Sequence, residues 1–382
     1  MKKSKVFYVN LIYFICACLI VTLYIIDNVV DLSFINAAVY DIIFSVVLQV
    51  GIMFILPLVL YSVFTKQKPK QTFMDFRYNK LSTKSVIYCI VIGICCYFLN
   101  LAIASFFSSI IRLFGYETLP SNSTGGASAG AGGLLLELLL VALLPAVCEE
   151  NLHRGLLLGG YSKLGLKKAV ILSSLLFGLL HLNVNQFFYA TILGFLMAMG
   201  CVICKSIYPG MIIHFLNNGL SIYLNYATNN KIFGGGILPT IEKIIIGGGT
   251  FNAFISSFLF LSCLVGLLLL FYYLLLKEMR IKKVRQLFNS AMKIETTAKE
   301  KEQLKQIDPN AQPFSNTYIN NLEMLNSMLN KYNGVKDNKK QPVFTQEESS
   351  SKKFTLSELM LLIGSLVLTI SITVFTFIWG LL

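Results

Sequence analysis

The sequence has little charge for its length. Asp, Glu, Lys and Arg make up 13% of its 382 residues, while 55% are hydrophobic. This charged share is about half of what soluble proteins carry, so a domain with a water-facing surface is excluded. The apolar runs are continuous rather than alternating, which excludes a transmembrane β-barrel. The composition therefore predicts an all-α, polytopic integral membrane protein.

The sequence also lacks several familiar motifs. No HExxH occurs, so the zinc-binding helix of many metalloproteases is absent. The nine cysteines all fall inside apolar runs, where cysteine usually acts as a small hydrophobe, and no disulfide framework is predicted. Histidine is scarce: His153, His181 and His214 are the only three, and all lie in or at the edge of apolar runs.

Apolar runs of about twenty residues can cross roughly 30 Å of hydrocarbon as helices. They predict a bundle of about nine transmembrane helices, eight in succession and one after a polar segment. The predicted spans are 6–26, 39–64, 85–113, 134–158, 168–187, 187–204, 206–227, 251–276 and 359–381. The predicted organisation is an N-terminal three-span unit (1–113), a five-span core (134–276), a basic cytoplasmic segment (277–358) and a C-terminal helix (359–382).

The basic residues predict an orientation. Of 32 Lys and Arg, 28 fall on alternate loops, which leaves Arg112, Lys231 and Lys243 on the other side and Arg154 within a span. By the positive-inside rule the N-terminus is cytoplasmic. The net charge of +13 therefore reflects topology and contact with the lipid bilayer, and no nucleic-acid partner is expected. The many Lys, Asn and Ile are typical of a bacterial protein, which predicts a multi-pass protein of the plasma membrane.

The segment 277–358 carries 15 basic and 10 acidic residues. Its first residues continue the eighth span as a basic helix that suits anionic headgroups. Apolar spacing predicts one short amphipathic helix around 316–332, and the rest is expected to be disordered. A solvated connector is favoured over a regulatory element.

The span 134–158 contains an unusual cluster of charged and polar residues. Each charge in the bilayer costs about 2.5–3.5 kcal/mol on insertion scales, so such a cluster indicates function. Glu150 and Arg154 are four residues apart on one helix face and are predicted to pair. This pairing leaves Glu149 without a counter-ion nearby in sequence.

Helix geometry places four polar residues at similar depths. At 1.5 Å per residue, Glu149, His181, His214 and Asn218 lie about 14–20 Å from the cytoplasmic ends of their helices. Together they form a set suited to hydrolysis. The carboxylate can take a proton from water, the imidazoles can orient that water or bind a metal, and a His–Asn pair can donate to an oxyanion.

Three sequence elements resemble those of one membrane-protein family. Residues 149–155 (EENLHRG) resemble the EExxxR signature of the CAAX-protease and bacteriocin-processing (Abi) family, which includes the Ras-converting CAAX endopeptidases. Residues 177–181 (FGLLH) and 214–218 (HFLNN) resemble its FxxxH and HxxxN elements. The resemblance covers about residues 134–226, with the elements in the family order, and implies an intramembrane protease.

The resemblance also implies roles for individual residues. Glu149 would be the water-activating base and His181 its catalytic partner, while His214 and Asn218 would stabilise the oxyanion. Members have been described both as metalloproteases and as glutamate-dependent proteases. Glu149, His181 and His214 are therefore candidate zinc ligands, but Asn218 is a poor zinc ligand. A metal-free, glutamate-activated water is slightly favoured over zinc.

The remaining signature positions are assigned a supporting role. Glu150, Arg154 and Phe177 match the family pattern. His153 departs from it, because the family usually has an aromatic or apolar residue there. His153 could alter substrate fit, add a metal ligand or merely pack.

Two other functions stay open at this stage. A non-catalytic scaffold or bacteriocin-immunity protein would keep the fold without the chemistry. An ion-coupled transporter would use polar residues within spans, but the paired Gly or Pro breaks expected of one are not seen. As a protease, the protein is expected to act on a peptide precursor or a membrane protein, and the sequence specifies no oligomeric state.

Overall fold

A computed structural model describes residues 4–31, 34–116, 130–246, 251–292, 298–313, 315–333 and 354–379. Within these ranges every regular element is a helix, which confirms the all-α prediction. The helices are α1 (Lys5–Val29), α2 (Ala37–Thr65), α3 (Pro69–Asp75), α4 (Thr83–Leu113), α5 (Gly130–Leu164), α6 (Leu166–Leu179), α7 (Val184–Cys204), α8 (Tyr208–Asn230), α9 (Ile237–Ile246), α10 (Phe251–Ala291), α11 (Ala298–Lys305), α12 (Asn316–Asn333) and α13 (Leu356–Trp379). Two compact units form, one from residues 1–271 with 349–382 and the other from 272–348.

The predicted number of spans is not confirmed. Seven of the described helices are long and apolar enough to cross a membrane, namely α1, α2, α4, α5, α7, α10 and α13. Helix α6 has only 14 residues, about 21 Å at 1.5 Å per residue, which is too short for the span predicted at 168–187. Helix α8 has 23 residues, but His214, Asn217 and Asn218 make its composition too polar for it to be counted as a membrane span.

Prolines inside α2 and α5 explain an irregularity in both helices. Pro57 and Pro145 lack the N–H that would bond the carbonyl four residues earlier. The turn before each proline widens into a π-helical stretch, at Val46–Ile55 in α2 and at Leu138–Leu143 in α5. Such widened turns leave carbonyl oxygens free for side chains on other helices.

Side chains from neighbouring helices bond the carbonyls that these prolines leave free. Asn151 in α5 donates its side-chain amide to the Met53 carbonyl, four residues before Pro57, at 3.2 Å. Asn218 in α8 donates to the Val141 carbonyl, four residues before Pro145, at 3.0 Å. These bonds tie α5 to α2 and α8 to α5.

The short helix α6 packs closely against α7. At Gly178 a Cβ atom would meet the Thr191 hydroxyl oxygen and would lie 2.8 Å from the Phe187 carbonyl oxygen. Only glycine allows the two backbones to approach this closely. The chain then turns through His181 and Leu182. The side chain of Asn183 caps the start of α7 by accepting a hydrogen bond from the backbone N–H of Asn185.

The first and the last described helices pack against each other. The hydroxyl of Ser4 donates to a carboxylate oxygen of Glu358 in α13, and the amide of the buried Asn10 donates to the Glu358 carbonyl at 2.7 Å. Near the other end of α13, the Thr376 hydroxyl lies 3.2 Å from the Leu182 carbonyl oxygen. Helix α13 thus contacts both α1 and the turn that carries His181.

The unit formed by 272–348 has a small apolar core of its own. The amphipathic helix predicted around 316–332 is confirmed as α12, whose Leu325 is fully buried. Its apolar face packs with Val284 at the end of α10 and Leu304 in α11. Helix α11 was not predicted from the sequence.

Candidate active site

A cavity of about 230 Å³ lies between α1, α2, α5 and the turn that follows α6. Glu149 and His181, two of the four predicted catalytic residues, both line it. The other lining residues are Ile20, Tyr24, Asp27, Phe44, Leu48, Gln49, Met53, His153, Phe177, Leu180, Leu182 and Gln186. Much of this wall is apolar, and its polar side chains include Asp27 of α1 and Gln186 of α7 besides Glu149 and His181.

Glu149 has a partner that the sequence analysis did not identify. It is partly buried, and one carboxylate oxygen accepts a hydrogen bond from the Gln49 amide nitrogen at 3.0 Å. Gln49 lies in the π-helical stretch of α2 and is 7% exposed. The sequence gives one signal for Gln49, an amide within a long apolar run. An amide in a membrane is costly unless it is hydrogen-bonded.

Glu150 lies in a different environment. Its side chain is fully buried and accepts a hydrogen bond from Arg154 at 2.7 Å, which confirms the predicted pair. The same oxygen lies 3.2 Å from Nδ1 of His214. Gly210 in α8 makes this approach possible, because a Cβ atom there would meet the other carboxylate oxygen. Glu150 is therefore a fixed anion between α5 and α8 rather than a group facing the cavity.

Arg154 is held on both sides. Besides Glu150, its guanidinium donates to the Gly194 carbonyl of α7 at 2.9 Å. The guanidinium carbon also lies 4.5 Å from the centre of the Phe177 ring, within the range of a cation–π contact. The predicted supporting residues thus form one connected group.

The Phe177 ring is the centre around which the three histidines pack. Ring centres lie 5.0 Å away for His153, 5.0 Å for His181 and 5.6 Å for His214, each in an edge-to-face arrangement. This arrangement is the preferred one for aromatic pairs. Phe177 therefore brings residues of α5, α6 and α8 together.

Two histidines have a defined tautomer. Nδ1 of His153 lies 2.8 Å from the Glu149 carbonyl oxygen, and Nδ1 of His181 lies 2.9 Å from the Phe177 carbonyl oxygen. A carbonyl oxygen only accepts, so Nδ1 carries the proton in both rings and donates it. In the neutral rings Nε2 is then the nitrogen that can accept a proton. His153, the departure from the family pattern, also packs against the Tyr13 ring.

The other two predicted catalytic residues lie away from this cavity. His214 contacts Glu150, and neither it nor Asn218 lines the cavity. Asn218 donates to the Val141 carbonyl and accepts a hydrogen bond from Asn217 at 3.0 Å. The structure thus divides the predicted set into two pairs: one borders the cavity and the other packs against α5.

The candidate metal ligands do not form a ligand set. Across the described ranges no three His, Cys, Asp or Glu side chains are placed to hold a metal ion. Glu149 points to Gln49, whereas His214 points to Glu150. The side chains that the structure describes therefore do not support a metalloprotease.

Comparison with known proteins shows that part of the chain is similar to one family. Residues 131–220 match the model of the Rce1-like family, described as type II CAAX prenyl endopeptidase. The chain matches none of the curated proteins and none of the solved structures with which it was compared. The matched segment contains all three predicted sequence elements. Residues 131–220 are therefore similar to the Rce1-like type II CAAX prenyl endopeptidase family, which confirms the resemblance predicted from these elements.

Proposed function

We propose that this protein is an intramembrane endopeptidase in which Glu149 activates water. The observation that supports this most directly is the different placement of the two signature carboxylates. Glu149 lines the cavity together with His181, while Glu150 is fully buried in an ion pair with Arg154. A general base must be reachable by water and substrate, and of the two only Glu149 meets this requirement.

The proposed reaction begins with water bound at Glu149. The carboxylate takes one proton from the water, and the water oxygen attacks the carbonyl carbon of the peptide bond. The electrons of the C=O bond move to its oxygen and form a tetrahedral oxyanion. Glu149 then returns the proton to the departing amine, the C–N bond breaks, and the carboxylate is restored. The unprotonated Nε2 of His181 can accept a hydrogen bond from the water or the departing amine.

His214 and Asn218 are the proposed oxyanion donors, as the resemblance implies. The Asn218 side chain donates to the Val141 carbonyl and does not line the cavity, so its use on substrate requires α8 to move toward the cavity when substrate binds. Catalytic hydrogen bonds are often long or misaligned without substrate. With a proton on Nδ1 facing Glu150, His214 donates through Nε2 only when its ring carries two protons.

The proposed substrate is a membrane-embedded peptide or the end of a membrane protein. Ile20, Phe44 and Leu48 give the cavity an apolar wall, which favours an extended apolar segment over a charged one. A volume of about 230 Å³ limits the enclosed part to a few side chains. The family description names prenyl substrates, and such a chain would also suit an apolar wall.

Comparative peptidomics tests the proposal. Membranes from cells that express the wild type should contain cleaved peptides that are absent when Glu149→Gln is expressed instead. Glutamine keeps the shape of the side chain but removes the base, which should lower the rate by at least about 10⁴-fold, the upper part of the range for acid–base catalysis. Identical peptide profiles at equal expression would refute the proposed activity.

A further inference from the structure

Gln49 lies outside the segment that matches the protease family, yet it contacts the proposed base. Its amide nitrogen lies 3.0 Å from a carboxylate oxygen of Glu149. Because a carboxylate accepts and does not donate, the amide NH₂ must be the end that faces Glu149. This fixes the direction of the other end, the amide oxygen.

The amide oxygen of Gln49 has no hydrogen-bond donor among the described residues. A buried acceptor left unpaired lowers stability, and Gln49 is 7% exposed. Both Gln49 and Glu149 line the same cavity. Gln49 thus leaves its own oxygen unpaired while its nitrogen bonds Glu149 beside the cavity.

The bond from the Gln49 nitrogen engages one oxygen of the Glu149 carboxylate. A carboxylate has two oxygens, so the other one remains to accept a hydrogen bond from water in the cavity. By holding the first oxygen, Gln49 fixes the direction in which the second one faces.

We propose that Gln49 holds the Glu149 carboxylate in the orientation from which it takes a proton from water. This rests on the proposed function and adds a positioning residue from α2 to the machinery of residues 131–220. Gln49 orients the carboxylate, while the proton goes to Glu149 as the water oxygen bonds to the substrate carbonyl carbon. Gln49 gains and loses no proton in this step.

Another side chain between α2 and α5 provides a matched control. The Asn151 amide nitrogen donates to the carbonyls of Met53 and Phe54 at 3.2 and 3.1 Å. Asn151 is fully buried and does not line the cavity. Like Gln49, it ties α5 to α2 by a side-chain amide, but it forms no hydrogen bond with the Glu149 carboxylate.

The experiment compares Gln49→Met with Asn151→Leu in the full-length protein. The probe is a quenched fluorescent peptide that spans the bond cleaved in wild-type membranes. Gln49→Met should lower kcat about 10²-fold, the cost of a misplaced reactant, with little change in KM or melting temperature. Asn151→Leu should lower the melting temperature and leave kcat of the folded enzyme unchanged. If Gln49→Met does not fold, Gln49→Asn replaces it with the same expected loss, because its amide is one methylene too short.

The outcomes separate this proposal from the proposed function. Wild-type kcat in Gln49→Met beside an inactive Glu149→Gln would overturn the role of Gln49 and leave the protease intact. A loss confined to KM, or one that follows melting temperature as in Asn151→Leu, would make Gln49 a structural brace and overturn the proposal as well. If wild type and Glu149→Gln did not differ, both proposals would be wrong.

Discussion

The carboxylate of Glu150 lies where no water reaches it, between Arg154 and His214. Removing one partner of a buried ion pair costs about 3–5 kcal/mol, because the remaining charge keeps its desolvation penalty. We therefore expect Glu150→Gln to lower stability by an amount of this order, measured as thermal unfolding in detergent. Glu149→Gln is the control and should unfold at the wild-type temperature. If wild type, Glu150→Gln and Glu149→Gln unfolded at the same temperature, Glu150 would not be the anion that stabilises α5 against α8.

At the scale of residues, chain spacing predicts some contacts and misses others. The Glu150–Arg154 pair follows from its separation of four along one helix. Gln49 was missed because nothing in an apolar run indicates which helix its amide will face. Depth along a helix axis gave Glu149, His214 and Asn218 a common height, but it does not give the direction around each axis. That direction separates Glu149, which faces α2, from His214, which faces Glu150.

Among elements, α5 and α8 are joined through a proline and an asparagine. Pro145 leaves the Val141 carbonyl without an N–H donor from its own helix, and Asn218 supplies a donor instead. We expect Asn218→Leu to cost about 1–3 kcal/mol, since the carbonyl is left unpaired. In a Pro145→Ala background the cost should shrink, because residue 145 regains its own N–H.

Thermal unfolding of the four proteins of this cycle measures the coupling. Cleavage gives a second measurement of the same proteins. If Asn218 also serves as an oxyanion donor, stability returns in the double variant while cleavage stays lost. Equal costs in the two backgrounds would show that Asn218 does not compensate for the proline.

Helix α3 is held near the start of α1 by one carboxylate. Asp75 accepts hydrogen bonds from Lys5 at 2.8 Å, Tyr61 at 2.9 Å and Gln71 at 3.0 Å. Burial alone would raise the pKa of Asp75, but the bonds from Lys5, Gln71 and Tyr61 outweigh it and lower the pKa below its usual value.

A carboxyl group whose pKa is lowered on folding stabilises the folded protein at pH values above its unfolded pKa. This stabilisation is lost as pH falls through the pKa of the folded state. We expect Asp75→Asn to cost about 1 kcal/mol at pH 7, a modest figure because Lys5 is 39% exposed. The free energies of unfolding of wild type and variant in detergent should differ at pH 7, begin to approach each other near about pH 4, the unfolded pKa of Asp, and converge only below the lower pKa of the folded state. A difference that persisted at acid pH would exclude a charge-based contribution.

For the whole molecule, the distribution of basic residues still predicts one orientation. The segment 277–358 should be cytoplasmic, because it carries 15 of the 28 Lys and Arg that fall on alternate loops of the predicted topology. In a cysteine-free background, Lys305→Cys should react with a membrane-impermeant thiol reagent only after the membrane is opened. Phe114→Cys, at an exposed position after α4, should react in intact cells. Labelling of position 305 from outside would reverse the topology.

The fold class could be predicted from composition alone, but the number of spans could not. Hydropathy counted α6 and the following residues as one span of twenty, because the average over 168–187 hides the polar Asn183, which caps the next helix. The helix ends at Leu179, and Leu182 then adopts a positive φ of 53°, a conformation that side chains rarely take. This turn places His181 at the cavity instead of within a helix.

The contact between α1 and α13 has a consequence for biosynthesis. Helix α1, which supplies Ile20, Tyr24 and Asp27 to the cavity, leaves the ribosome before the other described helices, and α13 follows after all of them. Until then Asn10 lacks the Glu358 carbonyl that it bonds in the folded chain. The cavity wall thus acquires this support only after α13 has been synthesised, so the order of synthesis keeps a chain without α13 from presenting a finished cavity.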